Sequence, residues 1–315
     1  MPSSAVRTFI DSDDYAAAIR GTRADITVMG RGQFAAKLVR IDLQRMWMQR
    51  HRENLSRILH STAMTGRAFV TFRTHPGPSL LWAGLETQPT NIVRHNESQH
   101  AFQHSSGSAC YGAMSLPIEE MASVGAAVAG CDLTPPRDML IVTPPLAAMA
   151  KLQRLHAAAG RLAEEAPEII ANPEAARGLE QSLIQAMVAC VSTGGVREDR
   201  SALRHHAVIM CRFRRAVEEN PDQALYIPEL CTAIGVSDRT LRVCCQEQLG
   251  MSPKRYLLLR RIHLARRALR ESAPTATTVT EIATRYGFWQ FGRFAGEYRS
   301  LFGELPSTTL GHPRG

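Results

Sequence analysis

Glu229-Leu230-Cys231-Thr232-Ala233-Ile234-Gly235-Val236 recurs downstream as Glu281-Ile282-Ala283-Thr284-Arg285-Tyr286-Gly287-Phe288. Each copy reads as a short helix ended by glycine and a buried hydrophobe. The parallel continues, because Leu249-Gly250-Met251-Ser252-Pro253 after the first copy is matched by Phe302-Gly303-Glu304-Leu305-Pro306 after the second. Two units therefore lie end to end between Ile227 and Leu310. A glycine between two short helices supplies the positive φ of a tight turn, and the hydrophobe after it plugs the crevice, which is helix-turn-helix grammar.

In the first unit Ser237 stands where an N-cap belongs, and the helix after it sorts into two faces. Leu241, Cys244, Cys245 and Leu249 form an inner stripe, while Arg239, Arg242, Val243 and Gln246 form an outer one. Two guanidiniums and an amide in line suit a major groove, where Arg reads guanine edges and Gln reads adenine. Ser237, Arg239, Thr240, Arg242 and Gln246 are accordingly the candidate DNA contacts of this unit. In the second unit the spacing predicts an inward stripe of Phe291, Phe294, Tyr298, Leu301 and Phe302. Trp289, Gln290, Arg293 and Arg299 are the candidate contacts there. Gly292 and Gly296 fall on the outer side, where they admit a close backbone but read no base, so the first unit is expected to discriminate more. The two probe helices, Ser237 to Gln246 and Trp289 to Phe302, are expected in successive major-groove segments about 34 Å apart.

Between the units Pro253 to Arg270 reads as a long helix with Leu258, Ile262, Ala265 and Leu269 on one apolar side. Two tandem helix-turn-helix units joined by such a helix and ending in Gly-x-x-Pro resemble the AraC family of bacterial transcription regulators. Gly287-Phe288-Trp289-Gln290-Phe291-Gly292-Arg293-Phe294-Ala295, with Leu301-Phe302-Gly303-Glu304-Leu305-Pro306-Ser307 after it, resembles the subgroup of the ethanolamine-operon regulator, in which Trp289 and Gly292 look like signature residues. The wider family usually has polar residues where this chain has Gly292 and Gly296, so no base contact carries over to those two positions. The resemblance covers roughly the last third of the chain. It implies a multidomain α+β protein with an N-terminal cupin-like β-barrel or sandwich for a small-molecule effector, a helical connector and an all-α C-terminal domain. The expected divisions are 1–130, 131–200 and 201–315. It further implies double-stranded DNA as partner, a homodimer, and RNA polymerase as a possible contact.

Charge supports a polyanionic partner. The formal net charge is +8, and from Leu203 onward 17 Lys and Arg face 10 Asp and Glu, so basicity is concentrated in the C-terminal part. Binding driven by such charge weakens steeply with salt. At 315 residues with 44% hydrophobic content, about two domains each have material for a core. Seven cysteines at 110, 131, 190, 211, 231, 244 and 245 include no Cys-x-x-Cys, which points to reduced thiols in a cytoplasm. No apolar run approaches the ~20 residues needed to cross a bilayer.

The N-terminal half carries strand signals after a short helix at Asp13 to Ile19. Ile26 to Met29, Phe34 to Leu43, Met46 to Met48, Ala68 to Arg73, Ile92 to Val93 and Ala109 to Ser115 are short, turn-flanked and β-branched or alternating. From Leu146 to Ala166 and from Pro173 to Val191 the pattern becomes helical. Leu152, Leu155, Ala159 and Leu162 form one stripe; Leu179, Leu183, Ala186, Met187 and Cys190 form another. They fit an intramolecular hairpin or a dimer seam. Ser192-Thr193-Gly194-Gly195 with the charged run to Arg204 is the linker candidate, followed by a helix from His205 to Asn220-Pro221.

Other signals are weaker. Gly30-Arg31-Gly32-Gln33-Phe34-Ala35 mimics a dinucleotide fingerprint, yet the residues after it read as strand, so a turn is expected. His95, His100 and His104 with Glu97 evoke a metal site, but His100 and His104 on one strand would stand about 13 Å apart, too wide for one ion. Trp47, Phe69, Phe72 and Trp82 fit a core or an effector pocket. The arginines at 260, 261, 266, 267 and 270 fit a solvated helix face or phosphate clamps. No catalytic spacing occurs, so neither enzyme activity nor a cofactor is expected. The alternatives are a cupin-type metal sensor or enzyme with an appended DNA-binding domain, and an effector-independent regulator whose N-terminal half only dimerises.

Overall fold

Both faces of the strand Trp47–Glu53 are largely buried, and this organises the N-terminal half. Successive side chains of a strand point to opposite faces, so Trp47, Gln49 and His51 look one way and Met48 and Arg50 the other. The computed structural model describes residues 1–97, 100–196, 201–220, 223 and 225–311 and shows what covers each face.

Among the described residues the strands are β1 (Ser3–Phe9), β2 (Thr22–Val28), β3 (Ala36–Asp42), β4 (Trp47–Glu53), β5 (Arg57–Ala63), β6 (Arg67–Arg73), β7 (Leu80–Trp82), β8 (Leu85–Glu86), β9 (Ile92–Arg94), β10 (His100–Ser105), β11 (Ala109–Pro117), β12 (Leu140–Thr143) and β13 (Gly195–Val196). They form two sheets, with orders β1-β3-β4-β11-β6-β9-β12-β13 and β2-β5-β10-β7-β8. Every pairing is antiparallel, for example Gln49 opposite Ala113 and Leu59 opposite Gln103. The expected strands at 26–29, 34–43, 46–48, 68–73, 92–93 and 109–115 all fall on observed ones. Periodicity missed β1, β5 and β10, where charged, histidine or small residues blur the alternation, and β7, β8, β12 and β13, which at two to four residues are too short to show it.

The helices here are α1 (Ser12–Ala18), α2 (Ile118–Val124), α3 (Leu146–Glu165), α4 (Pro167–Ala171) and α5 (Pro173–Ser192). Asp11 caps α1 by accepting from the backbone N–H groups of Asp13 and Asp14. The even-numbered side chains Met48, Val70, Phe72 and Met114 form one core with Leu152, Ala159, Leu183, Met187 and Cys190. The apolar stripes of α3 and α5 are thus spent within the chain, on each other and on the outer face of the larger sheet. That is the hairpin of the two arrangements the sequence allows. The linker candidate is also more ordered than expected, since Gly195 pairs with Thr143 on that sheet's edge. Its charged continuation at 197–200 lies outside the described residues, as does the helix stop at Pro221.

The C-terminal helices are α6 (Ser201–Glu218), α7 (Ile227–Ile234), α8 (Asp238–Leu249), α9 (Pro253–Glu271), α10 (Val279–Arg285), α11 (Phe291–Phe302) and α12 (Pro306–Gly311). α6 begins four residues before the expected His205. One core joins Met210 and Phe213 of α6 to Leu230, Leu241, Cys244, Leu249, Tyr256 and Leu257. A second joins Leu259, Ile262, Ala265 and Leu269 of α9 to Ile282, Phe288, Phe294, Tyr298 and Leu301. Helix α9 contributes to both and holds the two units together. Ile58 of β5 and Phe102 of β10 belong to the first of these cores, so the smaller sheet packs directly on the helical part.

Candidate nucleic-acid interface

The duplicated turns have the expected geometry. Gly235 and Gly287 take φ of 71° and 76°, left-handed values that a side chain would strain. Phe288 is buried behind its turn and Val236 is half-buried behind the other. Ser237 Oγ accepts from the backbone N–H of Thr240 at 3.1 Å, capping α8, and also lies 2.8 Å from the Thr240 hydroxyl. In the second unit Thr278 and Glu281 form a reciprocal capping box at the start of α10. Helix α11 starts from Gln290, which makes no side-chain cap.

The inner stripe of α8 is buried as expected, whereas Arg239, Arg242, Val243 and Gln246 are exposed. Arg242 forks onto Asp238 one turn earlier, with Nε donating to both carboxylate oxygens at 3.0 Å, and that carboxylate holds the guanidinium above its ordinary pKa. Arg242 therefore reaches outward braced along the helix. In the second unit Gln290, Arg293 and Arg299 are exposed, with Arg293 Nε donating to Glu297 at 3.2 Å. Trp289 is 75% exposed.

One inward assignment fails. Phe291 is 40% exposed at the first position of α11, while Phe294 in the same turn is buried. Phe294, Tyr298 and Leu301 are buried, and Phe302 is half-buried beside them. The outer surface at the start of α11 is thus Trp289, Gln290, Phe291, Gly292 and Arg293, part aromatic and part polar.

Three arginines of α9, at 266, 267 and 270, have acidic partners the sequence did not reveal. Arg266 donates to Asp11 at 2.7 Å, and Arg270 also pairs with Asp11. Arg267 forks onto Asp13 at 2.7 and 3.0 Å and reaches Asp25 at 2.5 Å. Burial alone would raise the pKa of Asp11, but Arg266, the Asp14 backbone N–H and Arg270 hold it below the ordinary carboxylate value; Arg267 does the same for Asp25. His263 lies 3.0 Å from the Val28 carbonyl oxygen, and the Gly32 N–H donates to the Ser300 carbonyl at 3.3 Å. These residues hold the helical part against the sheets, which neither a solvated face nor a phosphate clamp describes. Arg261 lies over the Phe288 ring at 5.2 Å. The missed signal was complementarity: an Asp11, Asp13, Asp14, Asp25 set against an Arg266, Arg267, Arg270 stripe.

The glycine-rich stretch at 30–35 is loop leading into β3, so no helix N-terminus awaits a pyrophosphate. His95 lies 2.8 Å from the Thr71 hydroxyl, and burial pulls its pKa down to about 4. His104 packs against Gly250, where a Cβ would fall 2.5 Å from its ring. The side chain of His100 lies outside the described residues. No group of three or more metal-ligating side chains occurs among the described residues. Of the four aromatics named above, Trp47, Phe69 and Trp82 line a cavity between the sheets, whereas Phe72 faces the helices.

A family model described as a helix-turn-helix domain matches residues 230–312. The probable thc operon regulatory protein of Rhodococcus erythropolis is 43% identical over 94 residues, which is 30% of this chain and 28% of that protein. The XylDLEGF operon transcriptional activator 3 of Pseudomonas putida is 38% identical over 99 residues, 31% of this chain and 30% of that one. The C-terminal third is an AraC-type helix-turn-helix domain. The AraC-type match spans under a third of those two relatives' length. A solved structure of a probable AraC family regulator from Rhodopseudomonas palustris is 32% identical, covering 34% of this chain and 98% of that one with a TM-score of 0.31.

Proposed function

We propose that the chain is a sequence-specific duplex-DNA-binding transcription regulator that works by binding and not by chemistry. The observation that carries this is the pair of AraC-type units, each presenting an exposed polar or basic surface on its second helix while its apolar stripe is buried. Arg239, Arg242 and Gln246 on α8 are assigned to base edges or flanking phosphates, with Ser237 and Thr240 at the helix start near the backbone. Trp289, Gln290, Arg293 and Arg299 fill the corresponding roles on α11. The names of the relatives, operon regulators and activators, support the same reading.

The division of labour we propose follows 1–130 for effector binding, 131–200 as connector and 201–315 for DNA. The two facing sheets fit a cupin-like sandwich, and the cavity between them is the effector site. An occupant shifts the population between arrangements of the DNA-binding part. A homodimer reading paired half-sites, with RNA polymerase as a further contact, completes the proposal. Such a dimer uses faces other than the buried stripes of α3 and α5. Kinship to the ethanolamine-operon subgroup rests on Trp289 and Gly292.

The test is footprinting of the purified chain across the DNA flanking its own gene. Protection of two segments about one helical turn apart on one face, weakening steeply with salt, is the expected result. Uniform, unsaturable protection with no preferred site contradicts the proposal.

A further inference from the structure

The cavity between the sheets has a polar feature that its aromatic walls do not explain. Strand alternation turns Trp47 and Gln49 of β4, Phe69 and Thr71 of β6, and Leu59 and Ser61 of β5 into it. Its volume is about 100 Å³. A dry cavity of about 150 Å³ admits benzene, so this one is of single-ring size with modest side-chain adjustment. Gln49 is 1% exposed, and neither its Oε1 nor its Nε2 has a hydrogen-bond partner. A buried amide is almost always paired, because leaving it unpaired forfeits its hydration with nothing in return.

The charged groups around the cavity are already engaged. Fully buried Arg57 pairs with Glu53 at 2.6 Å, and the Tyr15 and Tyr111 hydroxyls donate to the same carboxylate at 2.9 and 3.2 Å. Arg20 at the rim pairs with Asp42 and lies over Trp47. His51 is stacked on Tyr111, and burial beside Arg57 keeps its ring neutral. Neutral His95, tied to Thr71, lines the same cavity. Among the described residues an anion entering here finds no unengaged cation, only the neutral amide groups of Gln49 and Gln248. From the helical part Gln248 of α8 reaches the same cavity, 2% exposed and with its Nε2 unpartnered.

We propose that this cavity binds a neutral, single-ring aromatic ligand carrying a carboxamide or lactam edge, whose adjacent N–H and C=O pair with the Gln49 side chain. An amide is the group that offers a donor and an acceptor side by side, so it completes both orphaned Gln49 atoms at once. The ring fills the space between Trp47, Phe69 and Phe102. The inference rests on the reading of the cavity as an effector site, and it adds the class of effector.

The test is calorimetric titration of the full chain with benzamide, benzoate and toluene, in wild type and in Gln49→Met, which keeps the length of the side chain and removes its amide. The expected order in wild type is benzamide tighter than toluene and benzoate by about tenfold or more, since a site built around hydrogen bonds rejects analogues lacking them. In Gln49→Met the benzamide preference over toluene is expected to vanish. Toluene or benzoate binding as tightly as benzamide in wild type overturns the amide assignment while leaving the cavity as a ligand site. So does a folded Gln49→Met that keeps the benzamide preference. Wild-type protein that binds none of the three overturns the effector-site reading as well. The wild-type series needs no variant to fold.

Discussion

Replacing Arg267 by Met isolates the contact that holds the DNA-binding part against the sheets. Arg267 places two charge-assisted hydrogen bonds on Asp13 and one on Asp25. Bonds of this kind contribute about 1.5 to 3 kcal/mol when sheltered. Here the Arg267, Asp13 and Asp25 side chains are 33%, 22% and 44% exposed, so solvent screening brings the expected loss down to about 1 to 2 kcal/mol. The methionine keeps most of the aliphatic stem, so the loss reports charge and hydrogen bonding more than packing. A double-mutant cycle with Asp13→Ala, read by urea unfolding at low ionic strength, should give a coupling of about 1 kcal/mol. In 1 M salt, where the Debye length falls to about 3 Å, that coupling should shrink by half or more. A coupling indistinguishable from zero at low salt would refute the latch and return Arg267 to an ordinary solvated role.

Three further outcomes are expected. Arg57→Met strands the buried Glu53 carboxylate beside two tyrosines and should cost about 3 to 5 kcal/mol in urea unfolding; a loss below about 1 kcal/mol would show that the pair is not a structural unit. Gly235→Ala forces a side chain into a φ of 71° and should cost about 1 kcal/mol of C-terminal stability, and an unchanged midpoint would mean that the turn relaxes freely. Acid should destabilise the chain in two stages. His51 and His95 have folded pKa values pulled down to about 3 and about 4, so the unfolded chain takes up protons first as pH falls below the ordinary histidine value of about 6.5. Each of these histidines then contributes a loss approaching about 1.4 kcal/mol per pH unit. Asp11 and Asp25, held low by their arginines, add a second loss below about pH 4. Stability that stays flat or rises from pH 7 to pH 5 would contradict the burial of those histidines.

The C-terminal part was readable because its constraints are local. A glycine in a turn, an N-cap serine and a stripe at i, i+3, i+4 each declare themselves within a dozen residues, and Gly235, Ser237, Leu241 and Cys244 stand where that grammar puts them. Phe291 misled because periodicity gives the direction of a stripe and not which of its members is covered. In the N-terminal half strands with clear alternation were visible, while β5 and β10 were not, since Arg57, His60, Gln103 and His104 sit among their apolar residues. Those polar groups are buried by partners remote in sequence, as with Arg57 and Gln103, and single-strand periodicity carries no record of such pairing. The same limit hid Gln49, an isolated glutamine in a polar-looking strand, and the Asp11, Asp13 and Asp25 set that meets α9 more than two hundred residues away.

The central claim is that α8 and α11 lay two probe surfaces into neighbouring turns of one duplex. Fluorescence anisotropy with the footprinted site and its single-base variants, comparing wild type with Arg239→Ala and Arg293→Ala, tests it most directly. The account expects Arg239→Ala to cost about 1 to 3 kcal/mol and to relax choice at one base position within the α8 half of the site. Arg293→Ala should act only in the other half, about one turn away. Equal weakening on every sequence by both variants, or effects that fall in the same base pairs, would contradict it.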